Sequence, residues 1–297
     1  MIKGRLSVVI PNYNSPFASK TIQDILDKAK GDIEVIVNVE MNWPEPLSTD
    51  PRVHYIHGSA PIGMRAGINK AVAMSTGEFI MKCDDHVMFG EGFDEILKAD
   101  HQPNWIQVPR RYALDAENWK IGNEGDSKYP IDAMYTDFPL KGKANDDGTH
   151  GVHWREYRDA NKDIELLETP SIQGSCWFLT RDYFDNFLGG LHEEGYGQFA
   201  QESQELCFKA WLGGGKVITN KKTYYCHLHK GKTYGRMYRM PGGVVEADNW
   251  AIEHWANNKE PKMIHPFSWF INEKFPNMPG WPSNWEQILK DQGTIHE

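Results

Sequence analysis

The first 85 residues alternate between short apolar runs and amphipathic segments, and this alternation limits the possible folds more than any other feature. Apolar runs typical of buried strands occur at residues 6–10, 33–39, 53–56 and 79–82. Segments with helical spacing of apolar residues stand at 20–29 and 66–74. Strands that alternate with helices predict an α/β fold, with a mostly parallel sheet covered by helices on both faces.

Polar side chains follow three of the predicted strands. Asn12 comes after the first strand, Glu40 after the second and Asp84 after the fourth. In parallel α/β sheets, ligands bind outside the carboxyl ends of the strands. We therefore expect a ligand site at the edge of the sheet where these three side chains lie.

The segment GEFIMKCDDH, residues 77–86, ends in two carboxylates and an imidazole. If the strand continues through it, alternation places Asp84 and His86 on one face, and Asp85 on the other unless the chain bends. A carboxylate oxygen and a neutral imidazole nitrogen suit a divalent cation such as Mn²⁺. Such a cation can stabilise a departing diphosphate. A polar turn without a metal is the alternative interpretation of so short a motif.

Composition argues against several classes of protein. The formal net charge of −9 disfavours non-specific nucleic-acid binding, although basic residues between 230 and 239 leave a local patch open. The four cysteines include no C-x-x-C pair, so a thiolate zinc site is not expected. We find no apolar run of 18 residues and no signal-peptide pattern, which predicts a cytoplasmic protein without a membrane partner.

The second part of the chain is less regular. Residues 101–165 are rich in Asp, Asn, Gly, Lys and aromatic residues and show little periodicity, which predicts a loop-rich insertion. Regular patterns return at 172–179 and 202–212. From residue 231 onward the chain is aromatic and interrupted by prolines. Its rings either fill a core, which is the commoner use, or form a stacking surface.

Several of these motifs resemble a known family. The segment LSVVIPNYN, residues 6–14, resembles the opening strand of GT-A glycosyltransferases of the family 2 type. The ordered set of Arg65-Ala66, Asp84-x-His86, Glu202-x-x-Glu205 and His227 is similar to the polypeptide N-acetylgalactosaminyltransferases. This resemblance covers about residues 5–230. It implies a Rossmann-like GT-A fold and sugar transfer from a nucleotide-diphosphate sugar, most simply a UDP-sugar.

The resemblance also implies a domain organisation. Residues 1–230 would form the GT-A catalytic domain, and 231–297 an aromatic-rich C-terminal extension packed on it. Within the catalytic domain, 1–100 would be the nucleotide-sugar-binding half, 101–165 the insertion and 166–230 the acceptor-side half.

Site residues follow from the same resemblance. The metal, Mn²⁺ or Mg²⁺, would be held by Asp84, His86 and His227, with His229 in reserve for His227. The nucleotide-sugar contacts would be Pro11, Asn12, Tyr13, Glu40, Arg65, Asp84 and Gly174. The catalytic residues would be Glu202 and Asp85. Arg65 would bind diphosphate oxygens through its guanidinium group, and Glu205, one helical turn after Glu202, would be structural.

The sequence also departs from the family patterns. Glu40 stands near the place where family 2 enzymes carry an Asp that helps to hold uridine. Ser203 follows Glu202, where inverting family 2 enzymes carry Asp and the acetylgalactosaminyltransferases carry Asn. The closer resemblance favours a retaining enzyme over an inverting one. If the enzyme inverts, Glu202 is the best candidate for the base that deprotonates the acceptor.

The acceptor is not carried over, because the lectin domain and the membrane anchor of the acetylgalactosaminyltransferases are not found in this sequence. One hypothesis is a hydroxymethylated pyrimidine in DNA, stacked on the aromatic and locally basic C-terminal third. A glycan, a protein and a small molecule stay open. Two other functions are alternatives: a nucleotide-sugar hydrolase with the same metal site, and a non-catalytic sugar-binding module without a metal.

Overall fold

A computed structural model describes residues 1–122, 129–139, 150–229, 234–235 and 243–296. Its strands are β1 (Ile2–Asn12), β2 (Ile33–Val39), β3 (Val53–His57), β4 (Gly77–Cys83), β5 (Val87–Phe89), β6 (Trp105–Asp115), β7 (Lys120–Ile121), β8 (Met134–Thr136), β9 (Gly151–His153), β10 (Leu166–Glu168), β11 (Cys176–Thr180) and β12 (Lys216–His227).

Its α-helices are α1 (Ala18–Lys28), α2 (Met64–Met74), α3 (Phe93–Ala99), α4 (Arg155–Ala160), α5 (Glu202–Leu212), α6 (Val244–Ala256), α7 (Phe267–Trp269) and α8 (Trp285–Asp291). Two π-helical turns, Tyr183–Leu188 and Phe270–Lys274, complete the helical elements of the described residues.

The predicted α/β fold is confirmed. Within the described residues the main sheet runs in the order β10-β12-β6-β11-β4-β1-β2-β3, with β5 added to β12 and β7 to β6. The strands β3, β2, β1 and β4 are mutually parallel, as the strand–helix alternation predicts. Their apolar side chains are mostly buried, and every residue of β2 is buried. The second half of the sheet is mixed, because β11 runs antiparallel to both β4 and β6.

The register of the parallel strands brings their carboxyl ends to one edge. Asn12 at the end of β1 lies opposite Val39 at the end of β2. On the other side of β1, Val9 lies opposite Lys82 near the end of β4. The polar residues that follow these strands therefore start from the same edge of the sheet, as predicted.

The predicted loop-rich insertion needs a correction, because β6 is an 11-residue strand between β12 and β11 in the main sheet. Its sequence contains Pro109, Arg110 and Arg111, which hide the strand pattern. The charges are accommodated by partners far along the chain: Arg110 forms an ion pair with Asp132 at 2.7 Å, and Arg111 donates to His153 Nε2 at 2.6 Å. The predicted domain boundaries stay predictions.

The C-terminal aromatic residues in the described part of the chain contribute to the core. Trp255, Phe267, Phe270 and Trp285 are buried, and the first three pack around Phe208 of α5 with ring centroids 5.3–5.4 Å apart. Core filling is therefore the role of these rings. Most of the basic segment 230–239 lies outside the described residues. No helix of the described ranges is long and apolar enough to cross a membrane.

Candidate metal and donor site

The residues Asp84 to His86 lie in a turn rather than in a strand. Strand β4 ends at Cys83, and β5 begins at Val87. The predicted alternation along a continuing strand is therefore wrong, but the turn still directs Asp84 and His86 to the same place. Because β5 pairs with the end of β12, with Val87 opposite His227, the third predicted ligand arrives beside them.

Three potential ligand atoms converge at this turn. Asp84 Oδ2 lies 3.3 Å from His227 Nε2 and 3.8 Å from His86 Nε2. The two imidazole Nε2 atoms lie 3.1 Å apart. The imidazoles are nearly buried, whereas the Asp84 side chain is 25% exposed and opens the group to solvent. One carboxylate and two imidazoles form a donor set that suits a divalent transition metal.

Asp85 fixes the orientation of one imidazole. Its Oδ1 lies 2.7 Å from His86 Nδ1, and its Oδ2 accepts a hydrogen bond of 2.9 Å from Asn12 Nδ2. A proton on His86 Nδ1 leaves the Nε2 lone pair directed at Asp84 and His227, which is the arrangement found around metal-binding histidines. Both oxygens of Asp85 are thus engaged in the interior, and its predicted catalytic role stays a prediction.

The electrostatic environment favours the protonation states that a metal requires. Burial lowers the pKa of His227 to about 3, and the hydrogen bond with Asp84 offsets only part of this effect. Burial alone would raise the pKa of Asp84, but the charge of Lys82 and the hydrogen bond with His227 bring it well below its usual range. At neutral pH the carboxylate is charged and the His227 imidazole neutral, which are the forms that bind metal.

Arg111 is a second charge near this group that the sequence analysis missed. It is buried on β6, where it lies opposite Tyr225 of β12. Ala113, two residues further along β6, lies opposite His227. Its positive charge contributes to the lowered pKa values of His227, His229 and His153. Arg111 therefore helps to keep these imidazoles neutral. An arginine inside an apolar strand is the signal that could have indicated it.

Glu202 and Gly174, predicted as a catalytic residue and a nucleotide-sugar contact, lie side by side. Glu202 is the first residue of α5 and is buried, and its Oε1 accepts a hydrogen bond of 2.7 Å from Trp177 Nε1. A Cβ atom at Gly174 would lie 2.7 Å from Glu202 Oε2, so any larger residue there would displace this carboxylate. Burial raises the pKa of Glu202, and Lys82 and Trp177 offset only part of that rise.

Lys82 connects Glu202 and Gly174 to Asp84. Its Nζ donates to Asp84 Oδ1 at 2.8 Å and to the Gly174 carbonyl at 2.5 Å, and it lies 3.4 Å from Glu202 Oε2. From the sequence, Lys82 was predicted only as part of a strand and not as a site residue. A lysine two residues before the metal motif, inside an apolar run, is the signal that was overlooked.

Arg65 is held by partners other than the metal ligands, although its charge acts on Glu202. Its guanidinium is fully buried and donates to the carbonyls of His192 and Ala200 at 2.6 and 2.7 Å. The third nitrogen forms an ion pair with Glu205, and the group lies over the Tyr196 ring. Each guanidinium nitrogen thus donates to the protein, and the predicted contact of Arg65 with the diphosphate stays a prediction. Glu205 has the structural position that was expected of it.

The remaining predicted residues lie at the same edge of the sheet. The Glu40 carboxylate accepts hydrogen bonds from the backbone N–H groups of Ile62 and Gly63, at 3.2 and 3.3 Å, and so fixes the loop before α2. Pro11 is the next-to-last residue of β1. The carbonyl of Tyr13 accepts a hydrogen bond of 3.1 Å from the backbone N–H of Asn42. Their roles toward a nucleotide stay predictions. His229 stacks edge-on against His227 but lies outside the group of three convergent ligand atoms.

The fold and the site together define a glycosyltransferase of the GT-A type. A family model described as "Glycosyl transferase family 2" matches residues 7–188, and the chain belongs to this family. Mouse polypeptide N-acetylgalactosaminyltransferase 12 is 22% identical over 316 residues, which cover 92% of this chain and 52% of that protein. A Caenorhabditis elegans relative, polypeptide N-acetylgalactosaminyltransferase 5, is 22% identical over 50% of this chain and 22% of its own length.

Solved structures agree on the fold. The crystal structure of GalNAc-T7 with UDP, GalNAc and Mn²⁺ has a TM-score of 0.68 at 14% identity, over 93% of this chain and 58% of that one. The mannosyltransferase PcManGT from Pyrobaculum calidifontis, in complex with GDP-Man and Mn²⁺, has a TM-score of 0.53 at 15% identity, over 98% of this chain and 76% of that one. The chain spans about half the length of the mouse relative. The predicted GT-A fold and its acetylgalactosaminyltransferase-like features are confirmed.

Proposed function

We propose that this chain transfers a glycosyl group from a nucleotide-diphosphate sugar, most simply a UDP-sugar, to an acceptor hydroxyl. The carrying observation is the convergence of Asp84, His86 and His227, whose ligand atoms all lie within 4.8 Å of one another. These residues come from two segments about 140 residues apart that the sheet brings together. Mn²⁺ in complexes of two structural neighbours supports Mn²⁺, or the similar Mg²⁺, as the cation.

In this proposal each part of the site has one task. Asp84, His86 and His227 would hold the cation, which supplies positive charge for the departing diphosphate. Asp85 and Asn12 hold the His86 ring in the orientation that binds metal. Asn12, at the edge where Pro11, Tyr13 and Glu40 also lie, acts through Asp85.

Glu202 would face the donor sugar rather than act as a strong base. Its two oxygens are held by Trp177 and Lys82, so the carboxylate has a fixed direction beside Gly174. A fixed carboxylate suits a hydrogen bond to a sugar hydroxyl that strengthens in the transition state. We therefore keep the retaining mechanism as our proposal, with the inverting role of Glu202 as its alternative.

For the acceptor, a protein or glycan hydroxyl has more support than DNA. The names of the relatives describe transfer to polypeptides. The DNA hypothesis needed a stacking surface in the C-terminal third, but Trp255, Phe267, Phe270 and Trp285 are buried in the core. The basic segment that would contact phosphates lies mostly outside the described residues. Cytoplasmic location stays a prediction.

The test compares the purified chain with its Asp84→Ala variant in a screen of UDP-, GDP- and dTDP-sugars with Mn²⁺. Nucleotide release is measured with and without peptide, glycan and hydroxymethylated duplex DNA acceptors. We expect acceptor-dependent release that EDTA abolishes and that Asp84→Ala lowers about 1,000-fold, or about 4 kcal/mol, because one metal ligand is lost.

Asp50→Ala is the matched control. The Asp50 side chain is 27% exposed, close to the 25% of Asp84, but it precedes β3 and so lies at the opposite end of the strands. This variant should keep full activity. Release that needs no acceptor would favour the hydrolase alternative. Sugar binding without Mn²⁺ that Asp84→Ala leaves intact would favour the binding module instead.

A further inference from the structure

Lys82 is an ammonium group enclosed in the middle of the sheet. It lies near the end of β4, opposite Val9 of β1 on one side and Trp177 of β11 on the other, and its side chain is 1% exposed. An ammonium ion in such a place costs several kcal/mol unless acceptors surround it. Here three acceptors surround it: Asp84 Oδ1, the Gly174 carbonyl and Glu202 Oε2.

Lys82 contacts only one of the two carboxylate oxygens of Asp84. Oδ1 accepts the hydrogen bond from Lys82 at 2.8 Å, whereas Oδ2 faces His227 Nε2 at 3.3 Å. A cation placed among the three ligand atoms would therefore meet only one oxygen of this carboxylate. The charge of Lys82 lies just one carboxylate away from that cation, and like charges repel each other.

Lys82 and Trp177 contact different oxygens of the Glu202 carboxylate. Trp177 Nε1 holds Oε1 at 2.7 Å, and Lys82 lies 3.4 Å from Oε2. Without Lys82, the carboxylates of Asp84 and Glu202 would face each other across the space that the ammonium fills. Unpaired like charges in a buried site repel each other strongly, so Glu202 would change direction, whereas a bound cation would hold Asp84.

From these contacts we propose that Lys82 is a positioning residue of the donor site. It restricts Asp84 to one metal-binding oxygen, and it holds Glu202 and Gly174 in register with the metal ligands. The proposal rests on the proposed function, since it assigns Lys82 a role toward the same cation and sugar. It predicts a combined effect that a purely structural lysine would not have: removal of the charge strengthens metal binding and slows transfer.

The test is Lys82→Met, which keeps the length of the side chain and removes the ammonium. Mn²⁺ affinity is measured by electron paramagnetic resonance titration of the free protein, and kcat and KM are measured with the UDP-sugar identified in the screen. We expect a Mn²⁺ Kd about tenfold lower, because the repulsion ends and Asp84 Oδ1 becomes available. We expect kcat to fall at least tenfold, because Glu202 loses its fixed direction.

Lys209→Met is the matched control. Lys209 is 4% exposed and, like Lys82, donates to a carboxylate and a carbonyl, Glu205 Oε1 at 2.6 Å and Leu188 O at 2.8 Å. It belongs to no part of the proposed site. Its variant should have a lower Tm but an unchanged Mn²⁺ Kd and kcat when assayed below the unfolding transition. If Lys82→Met yields no folded protein, Lys82→Gln, which also lacks the charge, is measured in the same way.

The possible results separate the two proposals. If the unaltered protein binds no Mn²⁺, the proposed function fails at its metal site. If it binds Mn²⁺ and transfers sugar, but Lys82→Met leaves both Kd and kcat unchanged, only the role of Lys82 is overturned. Weaker Mn²⁺ binding together with a loss of Tm equal to that of Lys209→Met would also overturn it, because Lys82 would then be structural.

Discussion

Two buried charged clusters each contain one glutamate of helix α5, and they differ in whether they present atoms to a ligand. Glu202 and Glu205 lie one turn apart on α5. Glu202 belongs to the metal-side cluster, formed with Asp84, His86, His227 and Lys82. Glu205 belongs to the closed cluster, formed with Arg65 and Lys209.

In the closed cluster, both oxygens of the Glu205 carboxylate have donors within the protein. Arg65 and Glu205 have no exposed side-chain surface, and Lys209 is 4% exposed. Glu205 Oε1 accepts from Lys209 Nζ and from the N–H of His192, while Oε2 pairs with Arg65. Both oxygens of Glu205 are therefore satisfied within the protein, and the cluster joins α2 and α5 to the segment between them.

In the metal-side cluster, acceptor atoms outnumber the donors that face them. Asp84 Oδ2 and the two imidazole Nε2 atoms point at one another, and the Asp84 side chain is partly exposed. Lys82 satisfies Oδ1 alone. The comparison shows that charged residue types do not identify the ligand site. Ligand atoms that converge beside a partly exposed carboxylate do identify it.

The largest effect that would separate the clusters is expected for Arg65→Met. Removing one partner of a buried ion pair leaves the other uncompensated, so unfolding free energy should fall by about 3–5 kcal/mol. Mn²⁺ affinity of the folded variant should stay unchanged. Urea unfolding and Mn²⁺ titration measure the two quantities. Arg5→Met, which removes a surface pair with Asp32, should cost under about 1 kcal/mol.

The opposite result would support the prediction from the family resemblance. If Arg65→Met unfolds at the same urea concentration as the unaltered chain but binds Mn²⁺-UDP at least tenfold more weakly, Arg65 contacts the diphosphate. The closed cluster would then have to open when the nucleotide binds.

Sequence patterns predicted the parallel half of the sheet because its strands are apolar and its helices amphipathic within a few residues. They missed β6, whose Arg110 and Arg111 depend on partners 22 and 42 residues away. The same limit applies to the clusters. The ordered motifs located Asp84, His86 and His227, but not Lys82, whose partners Gly174 and Glu202 lie 92 and 120 residues away.

Arg65 shows the converse limit. Its place in a motif suggested a ligand contact, but its guanidinium is occupied by residues 127 to 140 positions later in the chain. Whether an arginine faces a ligand or the interior depends on that distant packing. Local sequence alone does not contain this information.

A smaller effect is expected for the pH dependence of stability, and it tests whether His227 is held neutral. Burial lowers the pKa of His227 to about 3 in the folded chain, whereas an unfolded histidine titrates near 6.5. Between these values the unfolded state binds more protons, so stability rises with pH. From pH 5 to pH 7.5, His227 should therefore contribute about 2 kcal/mol of increasing stability.

The measurement is urea unfolding in EDTA at both pH values for the unaltered chain and for His227→Gln. In the variant, the difference in unfolding free energy between the two pH values should be about 2 kcal/mol smaller than in the unaltered chain. His54→Gln, at an exposed position of β3, should leave that difference unchanged. An identical pH dependence in His227→Gln and in the unaltered chain would contradict the neutral, buried imidazole on which the metal-side cluster depends.

The smallest effect is expected for Asp85→Asn, which keeps the shape of the side chain and removes its charge. Partners that orient a metal-binding histidine typically change metal affinity by about tenfold or more, so the Mn²⁺ Kd should rise about tenfold, or about 1.4 kcal/mol. The KM for the donor at saturating Mn²⁺ should stay the same, because both carboxylate oxygens of Asp85 are engaged by His86 and Asn12. If Asp85 instead acts in the reaction, as the family resemblance implies, the same variant would lower kcat and leave Mn²⁺ affinity unchanged. Mn²⁺ titration beside steady-state kinetics therefore decides whether the metal-side cluster includes Asp85 as a support or as a reacting group.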